Sequence, residues 1–322
     1  MKWILFTALS ILLYSFCELF DKEGSEYEEK YSELKIFIWF GIASGAVSLC
    51  MRLLGFTEGE MTVFSLLRAR PYAVLSPVLY ALCLVAAFLS LKLIPMSIEV
   101  VFCNFDGFFT FVGVIAMYLA FGENALLDEE ITPLKLILVL AAMICVAVES
   151  VLENRSEDRE ENALRAEGRR LGRGGYFAVT GIILAVLSAV FDSASSLVDI
   201  YLLYDLSETN DYVCIHGYLT AMLGAAAYVL LWILEKRPYN PFKKQELPKA
   251  LGAGFDSAGT IFYMLAVAEN PIYSGGIIST YCVFSILFAS VFLKEKLTKS
   301  QKIVIAVTLL VVFSFTIADE FL

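Results

Sequence analysis

Three aspartates within apolar stretches carry most of the chemistry that this sequence offers. Asp106 lies in "VFCNFDGFF", Asp192 in "VFDSASSLVDIY" and Asp256 in "GAGFDSAGTIFY". An ionisable side chain inside an apolar segment of membrane length is costly, so it generally marks a functional site or an internal pair. A carboxyl group at such a depth can bind a polar or cationic solute, or carry a coupling proton. These aspartates are therefore candidate binding residues.

The residues around Asp192 indicate a helix with one polar face. Asp192, Ser195, Ser196 and Asp199 follow the spacing i, i+3, i+4, i+7, which places them on one side of an otherwise apolar helix. Such a stripe must face the interior of a helix bundle or water. We expect it to line a polar cavity; for the serines, hydrogen bonding between helices is the alternative.

The predicted cavity combines carboxyl, amide, hydroxyl and aromatic groups from four apolar segments. Its candidate residues are Asn104, Asp106, Asp192, Ser193, Ser196, Asp256, Thr260, Tyr263, Thr280 and Tyr281. Charged residues near segment ends, such as Glu18, are expected to be structural, because their side chains can reach the membrane surface. His216 lies near the start of a segment, where we expect it to be half-exposed.

The composition indicates a membrane protein. Of the 322 residues, 59% are hydrophobic, and the mean hydropathy is +0.73; soluble domains are usually about 45–50% apolar. Ten apolar segments cover residues 2–20, 35–55, 71–93, 95–121, 132–152, 174–204, 213–234, 248–268, 271–293 and 300–318. The sequence thus predicts an all-α polytopic protein with ten transmembrane helices in the lipid bilayer.

The order of these segments repeats along the chain. Two serine pairs align at an offset of 178 residues and one proline pair at 176, namely Ser10 with Ser188, Ser15 with Ser193, and Pro95 with Pro271. Because each half has an odd number of helices, the second half would be inverted relative to the first. We predict five-helix repeats at residues 1–152 and 174–322, joined by a charged linker at 153–173.

The last sixty residues carry a more specific pattern. Pro271 opens an apolar run without charged residues, Lys294–Leu297 ("KEKL") follows it, and a final apolar segment comes next. This order resembles the EamA-like family of the drug/metabolite transporter superfamily. The resemblance implies a substrate cavity between two halves, and termini in the cytoplasm.

The distribution of Lys and Arg and the family resemblance predict opposite orientations of the chain in the membrane. The loops on one side of the membrane carry 19 of the 24 Lys and Arg residues, so the positive-inside rule places both termini outside. We favour the charge count for this chain. We also expect a multi-pass protein of the plasma membrane rather than of an internal membrane.

The expected function is secondary transport of a small polar metabolite, amino acid or drug by alternating access. Asp192 and Asp256 would supply proton or ion coupling. The chain has no phosphate-binding loop of the P-loop type and only one histidine, so we expect no ATP drive, cofactor or metal site. Nucleic acid is not an expected partner, and association into a homodimer is left open.

Other functions remain as alternatives. A nucleotide-sugar or sugar carrier of an internal membrane is disfavoured, because a phosphorylated substrate needs cations and the deep charges here are acidic. An intramembrane enzyme lacks the paired acidic motifs or a well-placed Ser and His, so the chain is not expected to be an enzyme. A membrane scaffold without transport is the third alternative.

Overall fold

The chain is built from helices. A computed structural model describes residues 2–24, 31–57, 59, 61–91, 93, 105–121, 132–166, 175–206, 208–241, 243–293 and 297–321. The α-helices within them are α1 (Lys2–Gly24), α2 (Ser32–Leu53), α3 (Val63–Ala69), α4 (Leu75–Leu91), α5 (Asp106–Phe121), α6 (Pro133–Ala166), α7 (Gly175–Asp205), α8 (Thr209–Glu235), α9 (Leu247–Glu269), α10 (Pro271–Ile278), α11 (Tyr281–Phe288) and α12 (Lys299–Phe321). Those residues contain no β-strand.

The helices have the length and composition of membrane spans. Within the described ranges, seven are long and apolar enough to cross a bilayer, and the number is eight if the bent pair Val63–Ala69 and Pro71–Ala87 counts as one span. Many large apolar side chains on their outer faces are exposed, for example Leu5, Ile144 and Phe313. This surface is suited to lipid. The chain is therefore an all-α polytopic membrane protein.

The third predicted segment begins with a sharp bend. A short helix, α3, precedes it, and the chain turns by 118° between Ala69 and Pro71. Arg70 has φ −136° and ψ 74°, outside the helical region. The cause is Pro71, which lacks an N–H group and disfavours helical geometry in the residue before it.

The predicted segment 271–293 is interrupted at its centre. Helix α10 ends at Ile278, Ser279 and Thr280 form a turn, and α11 begins at Tyr281. The Ser279 and Thr280 hydroxyls donate hydrogen bonds to carbonyls three residues earlier, at 2.7 Å in both cases. Such side-chain bonds to the backbone compete with regular helix geometry. A π-helical turn, Ala289–Leu293, follows α11.

The predicted linker at 153–173 begins inside a helix. Helix α6 continues to Ala166 without a break. Glu, Arg and Ala in this stretch are good helix formers, so the charged sequence extends the helix although it leaves the apolar region. Residues 167–174, like 94–104 and 294–296, lie outside the described ranges.

The bundle is held by pairs of helices that pack along their length. The most extensive packing joins α1 with α9, α2 with α8, α4 with α7 and α6 with α12; α2 also packs against α9, α1 against α11, and α5 against both α7 and α10. In the α2–α8 pair, Lys35 Nζ lies 3.5 Å from Glu235 Oε1 at one end, and the Cys214 thiol donates to the Ser48 carbonyl, at 3.2 Å, towards the other. These contacts show that the two helices run antiparallel. A cavity remains where the pairs meet.

Candidate functional site

A cavity of about 370 Å³ lies in the middle of the bundle. Helices α1, α2, α4, α5 and α7–α11 all contribute to its wall. Its acidic side chains are Glu18, Asp106, Asp192, Asp199 and Asp256, and none of the described residues that line it is Lys or Arg. The volume suits a small molecule. The described part of the wall therefore combines carboxyl groups with apolar and aromatic surface, and His216 is its one basic side chain.

The structure brings most of the predicted site residues to this cavity. Those that line it are Asp106, Asp192, Ser196, Asp256, Thr260, Tyr263 and Tyr281. Ser193 and Thr280 are buried behind the wall. Ser193 Oγ donates to the Asp106 carbonyl at 2.8 Å, and Thr280 Oγ1 donates to the Ile277 carbonyl at 2.7 Å. Asn104 lies outside the described residues.

Asp106 and Asp192 form a carboxyl pair. Helix α5 begins at Asp106 and packs against α7, where Ser193, next to Asp192, donates to the Asp106 carbonyl, so the two aspartates line the same cavity at neighbouring positions. Two like charges at neighbouring positions in a low-dielectric cavity repel each other, so binding of a proton or of a cation there would relieve the repulsion. A proton and a cation would thus compete for these oxygens.

Tyrosines provide the aromatic part of the wall. The rings of Tyr14 and Tyr281 lie 5.5 Å apart. Tyr14 Oη lies 3.2 Å from Thr260 Oγ1, and Tyr80 donates a 3.1 Å hydrogen bond to Asp256 Oδ2. These hydrogen bonds fix the rings across three helices, α1, α4 and α9. The wall can contact both an apolar and a polar part of a solute.

A second polar cluster lies around Asp199. Tyr212 donates to Asp199 Oδ1 at 2.6 Å, and His216 Nε2 lies 3.9 Å from Asp199 Oδ2. His216 Nε2 is also 3.2 Å from Ser76 Oγ. The expectation of a half-exposed His216 was wrong, because only 7% of it is exposed. The stripe that begins at Asp192 already contained Asp199; the position of His216 opposite it depends on the packing of α7 and α8.

Glu18, which was expected near a segment end, also lines the cavity. Helix α1 continues to Gly24, so Glu18 is not at its terminus. Its carboxylate accepts a hydrogen bond from Ser285 on α11. Among the described residues, no group of three or more His, Cys, Asp or Glu is arranged to hold a metal ion.

Comparison with known proteins informs the fold. No protein-family model matches this chain, and no curated protein matches it. A solved structure described only as "Crystal structure of protein" is similar, with a TM-score of 0.64 and 18% sequence identity over 97% of this chain and 94% of the other. At this identity the likeness concerns the fold alone. The helical arrangement is thus one that has been observed in another protein over almost its whole length.

Proposed function

We propose that this protein is a secondary transporter that moves a small polar solute by alternating access between two inverted five-helix halves. The observation that carries the proposal is a central cavity with buried carboxyl groups, enclosed by helices that pair across the two halves. The predicted ten spans and their inverted repeat belong to this proposal.

The pairing of helices supports the inverted repeat. Let the five predicted segments of the first half be α1, α2, α4, α5 and α6, and those of the second half α7, α8, α9, α10–α11 and α12. Exchange of the halves then converts the α1–α9 pair into the α7–α4 pair, and both pairs occur. The pairs α2–α8 and α6–α12 are each converted into themselves, and the contact of α1 with α11 is converted into that of α7 with α5. This is the pattern expected of a pseudo-two-fold axis between the halves.

Two hydrogen bonds repeat the same relationship at atomic scale. Ser10 Oγ donates to the Gly259 carbonyl, and Ser188 Oγ donates to the Cys83 carbonyl, each at 3.1 Å. Ser10 and Ser188 are the serines aligned at an offset of 178 residues, and Cys83 and Gly259 differ by the offset of 176 found for the aligned prolines. The acceptor of Ser10, Gly259, is therefore the counterpart of Cys83, which is the acceptor of Ser188.

The second aligned serine pair behaves in the same way. Ser15 Oγ donates to the Tyr281 carbonyl at 3.0 Å, and Ser193 Oγ donates to the Asp106 carbonyl at 2.8 Å. Tyr281 and Asp106 are the first residues of α11 and α5, which are corresponding helices of the two halves. In both halves a serine anchors the start of a helix at the cavity. These equivalent contacts support a duplicated architecture.

The acidic wall favours some substrates over others. A nucleotide sugar or sugar phosphate needs cationic groups to offset its phosphates, and the described cavity residues include no Lys or Arg. An amino acid, amine or other small polar metabolite is compatible with this wall. Such solutes are exchanged across plasma membranes, which we propose as the location.

Solute counterflow in proteoliposomes tests the transport proposal. We would screen amino acids, amines, sugars and nucleotide sugars, with wild-type protein and Asp256→Asn in parallel. We expect the wild-type protein to accumulate one class of solute. The rate should be at least about tenfold lower in the variant, because the variant lacks a buried carboxyl group of the cavity wall.

The matched control is Asp205→Asn. Asp205 lies at the end of α7, is paired with Arg70, and does not line the cavity. This variant should transport like the wild type. If folded wild-type protein exchanges none of the solutes, the scaffold alternative would replace the transporter proposal.

A further inference from the structure

The cavity has two chemically different faces that occupy equivalent places in the two halves. At the repeat offset of 178 residues Tyr14 corresponds to Asp192. Asp106 and Tyr281 also hold matching places, because they begin the corresponding helices α5 and α11 and accept hydrogen bonds from the aligned serines. The Tyr14 and Tyr281 rings contact each other, and Asp106 and Asp192 line the cavity from the packed helices α5 and α7. A tyrosine pair on α1 and α11 therefore matches a carboxyl pair on α7 and α5.

In a third case, too, a tyrosine in one half corresponds to an aspartate in the other. Tyr80 and Asp256 differ by 176 residues, the offset of the aligned prolines, and they touch each other through the 3.1 Å hydrogen bond. Residues related by a two-fold axis can touch only near that axis. The Tyr80–Asp256 contact thus lies near the proposed axis, with the tyrosine pair and the carboxyl pair on opposite sides of it.

The chemistry of the two faces selects for positive charge. Five carboxyl groups line the cavity and no Lys or Arg among the described residues offsets them. In a low-dielectric environment such a wall attracts cations strongly. The faces of tyrosine rings also attract cations, especially when water is excluded. Both faces therefore favour the same charge, whereas a neutral solute would gain from neither effect.

We propose that the cavity binds a compact organic cation, an amine or a quaternary ammonium, between the Asp106–Asp192 carboxyl pair and the Tyr14–Tyr281 ring pair. The inference rests on the proposed transport function for its physiological role, and it names the substrate class of that same site. The cation's charged group would contact the carboxyl oxygens, and its alkyl or aryl part would contact the rings.

Binding to the purified full-length protein in detergent tests the substrate class directly. We would compare choline with its neutral isostere 3,3-dimethylbutan-1-ol, and benzylamine with benzyl alcohol, by isothermal titration calorimetry. At least one cation should bind about tenfold or more tightly than its neutral counterpart, which corresponds to one charge-dependent contact. If neither cation binds more tightly than its counterpart, the proposal is overturned.

Variants of both faces locate the bound cation. Asp106→Asn and Asp192→Asn keep the shape and hydrogen-bonding capacity of the pair, and each should weaken cation binding about tenfold or more. Tyr14→Leu should weaken it several-fold, whereas Tyr14→Phe, which keeps the ring, should retain it. Asp205→Asn on α7 is the control and should bind like the wild type. Unchanged cation binding in both aspartate variants would overturn the proposal, and Tyr14→Leu tests it independently if those variants do not fold.

Counterflow with the same compounds separates this proposal from the proposed function. If choline or benzylamine binds in detergent but no solute exchanges in proteoliposomes, the cation site stands and the transport function fails. If neutral solutes exchange while neither cation binds preferentially, transport stands and the cation site fails.

Discussion

Gly41 on α2 and Gly224 on α8 face each other so closely that a Cβ atom built on either residue would lie 2.7 Å from the Cα atom of the other. The next contact, between a Cβ on Gly41 and the backbone nitrogen of Gly224, is 3.3 Å and is matched by the reciprocal contact at the same distance. The two helices cross through backbone contact. Because α2 and α8 are corresponding helices of the proposed halves, this crossing joins the two halves directly.

We expect Gly41→Ala to destabilise the fold. The added methyl group meets backbone atoms that cannot move aside, so α2 and α8 must separate, at a cost of about 1–3 kcal/mol. Unfolding in detergent, followed by circular dichroism, measures the change. Gly254→Ala on α9 is the control, because a Cβ at Gly254 has no atom within 4 Å. Equal stability of the two variants would contradict this account of the crossing.

The charge of the cavity predicts how fast thiol reagents react with Cys17. Cys17 lines the acidic cavity, whereas Cys50 is exposed near the end of α2. The test uses variants that retain only one of these two cysteines. For each, the rate of modification by a cationic methanethiosulfonate reagent is divided by the rate with an anionic one. We expect this ratio to be about tenfold higher at Cys17 than at Cys50, because acidic walls concentrate cations. Mass spectrometry measures the modification. A similar ratio at both thiols would contradict a net negative cavity.

The hydrogen bond to Asp199 should contribute measurably to stability. Tyr212 is fully buried and donates to Asp199 at 2.6 Å, so Tyr212→Phe removes a donor from a buried carboxyl group. We expect a loss of about 1–3 kcal/mol in the free energy of unfolding. Tyr228→Phe, which removes a 3.0 Å bond to the Tyr239 carbonyl away from the cavity, is the control and should cost less. The opposite order would indicate that Asp199 is satisfied by its other neighbours.

Asp192 should determine the response of transport to a pH gradient. If the carboxyl pair carries a coupling proton, Asp192→Asn should abolish uptake driven by a pH gradient while solute exchange at equal pH continues, because an amide cannot release a proton. Uptake and exchange in the same proteoliposomes measure both quantities. Unchanged pH dependence would remove Asp192 from the coupling step, and Asp205→Asn is again the control.

Sequence patterns predicted the polar face of α7 correctly in position, because helical spacing alone fixes which residues share a face. Asp192, Ser196 and Asp199 follow that spacing and all line the cavity. The membrane character could also be predicted, because the length and apolarity of each segment are local properties of the sequence. The alignment of Ser10 with Ser188 identified residues that make equivalent hydrogen bonds, although the sequence did not indicate their acceptors.

Features that depend on contact between distant segments were not predictable. The Asp106–Asp192 pair requires α5 to begin beside the middle of α7, and His216 reaches Asp199 only through the packing of α8. Glu18 lies farther from its helix end than expected, because the predicted segment ended at residue 20 and α1 continues to Gly24. In each case the local sequence is compatible with several depths in the membrane, and the packing of other helices decides among them.

The pairing of helices also has a consequence for biosynthesis. The most extensive contacts, α1 with α9, α2 with α8 and α4 with α7, each join a helix made early to one made late. The first half can therefore enter the membrane during translation, but it cannot acquire its native neighbours until the second half has left the ribosome. Until then its polar side chains, including Ser10, Tyr14 and Tyr80, lack their hydrogen-bond partners from the second half. A chain shortened after α6 should thus be recognised by membrane quality control and degraded.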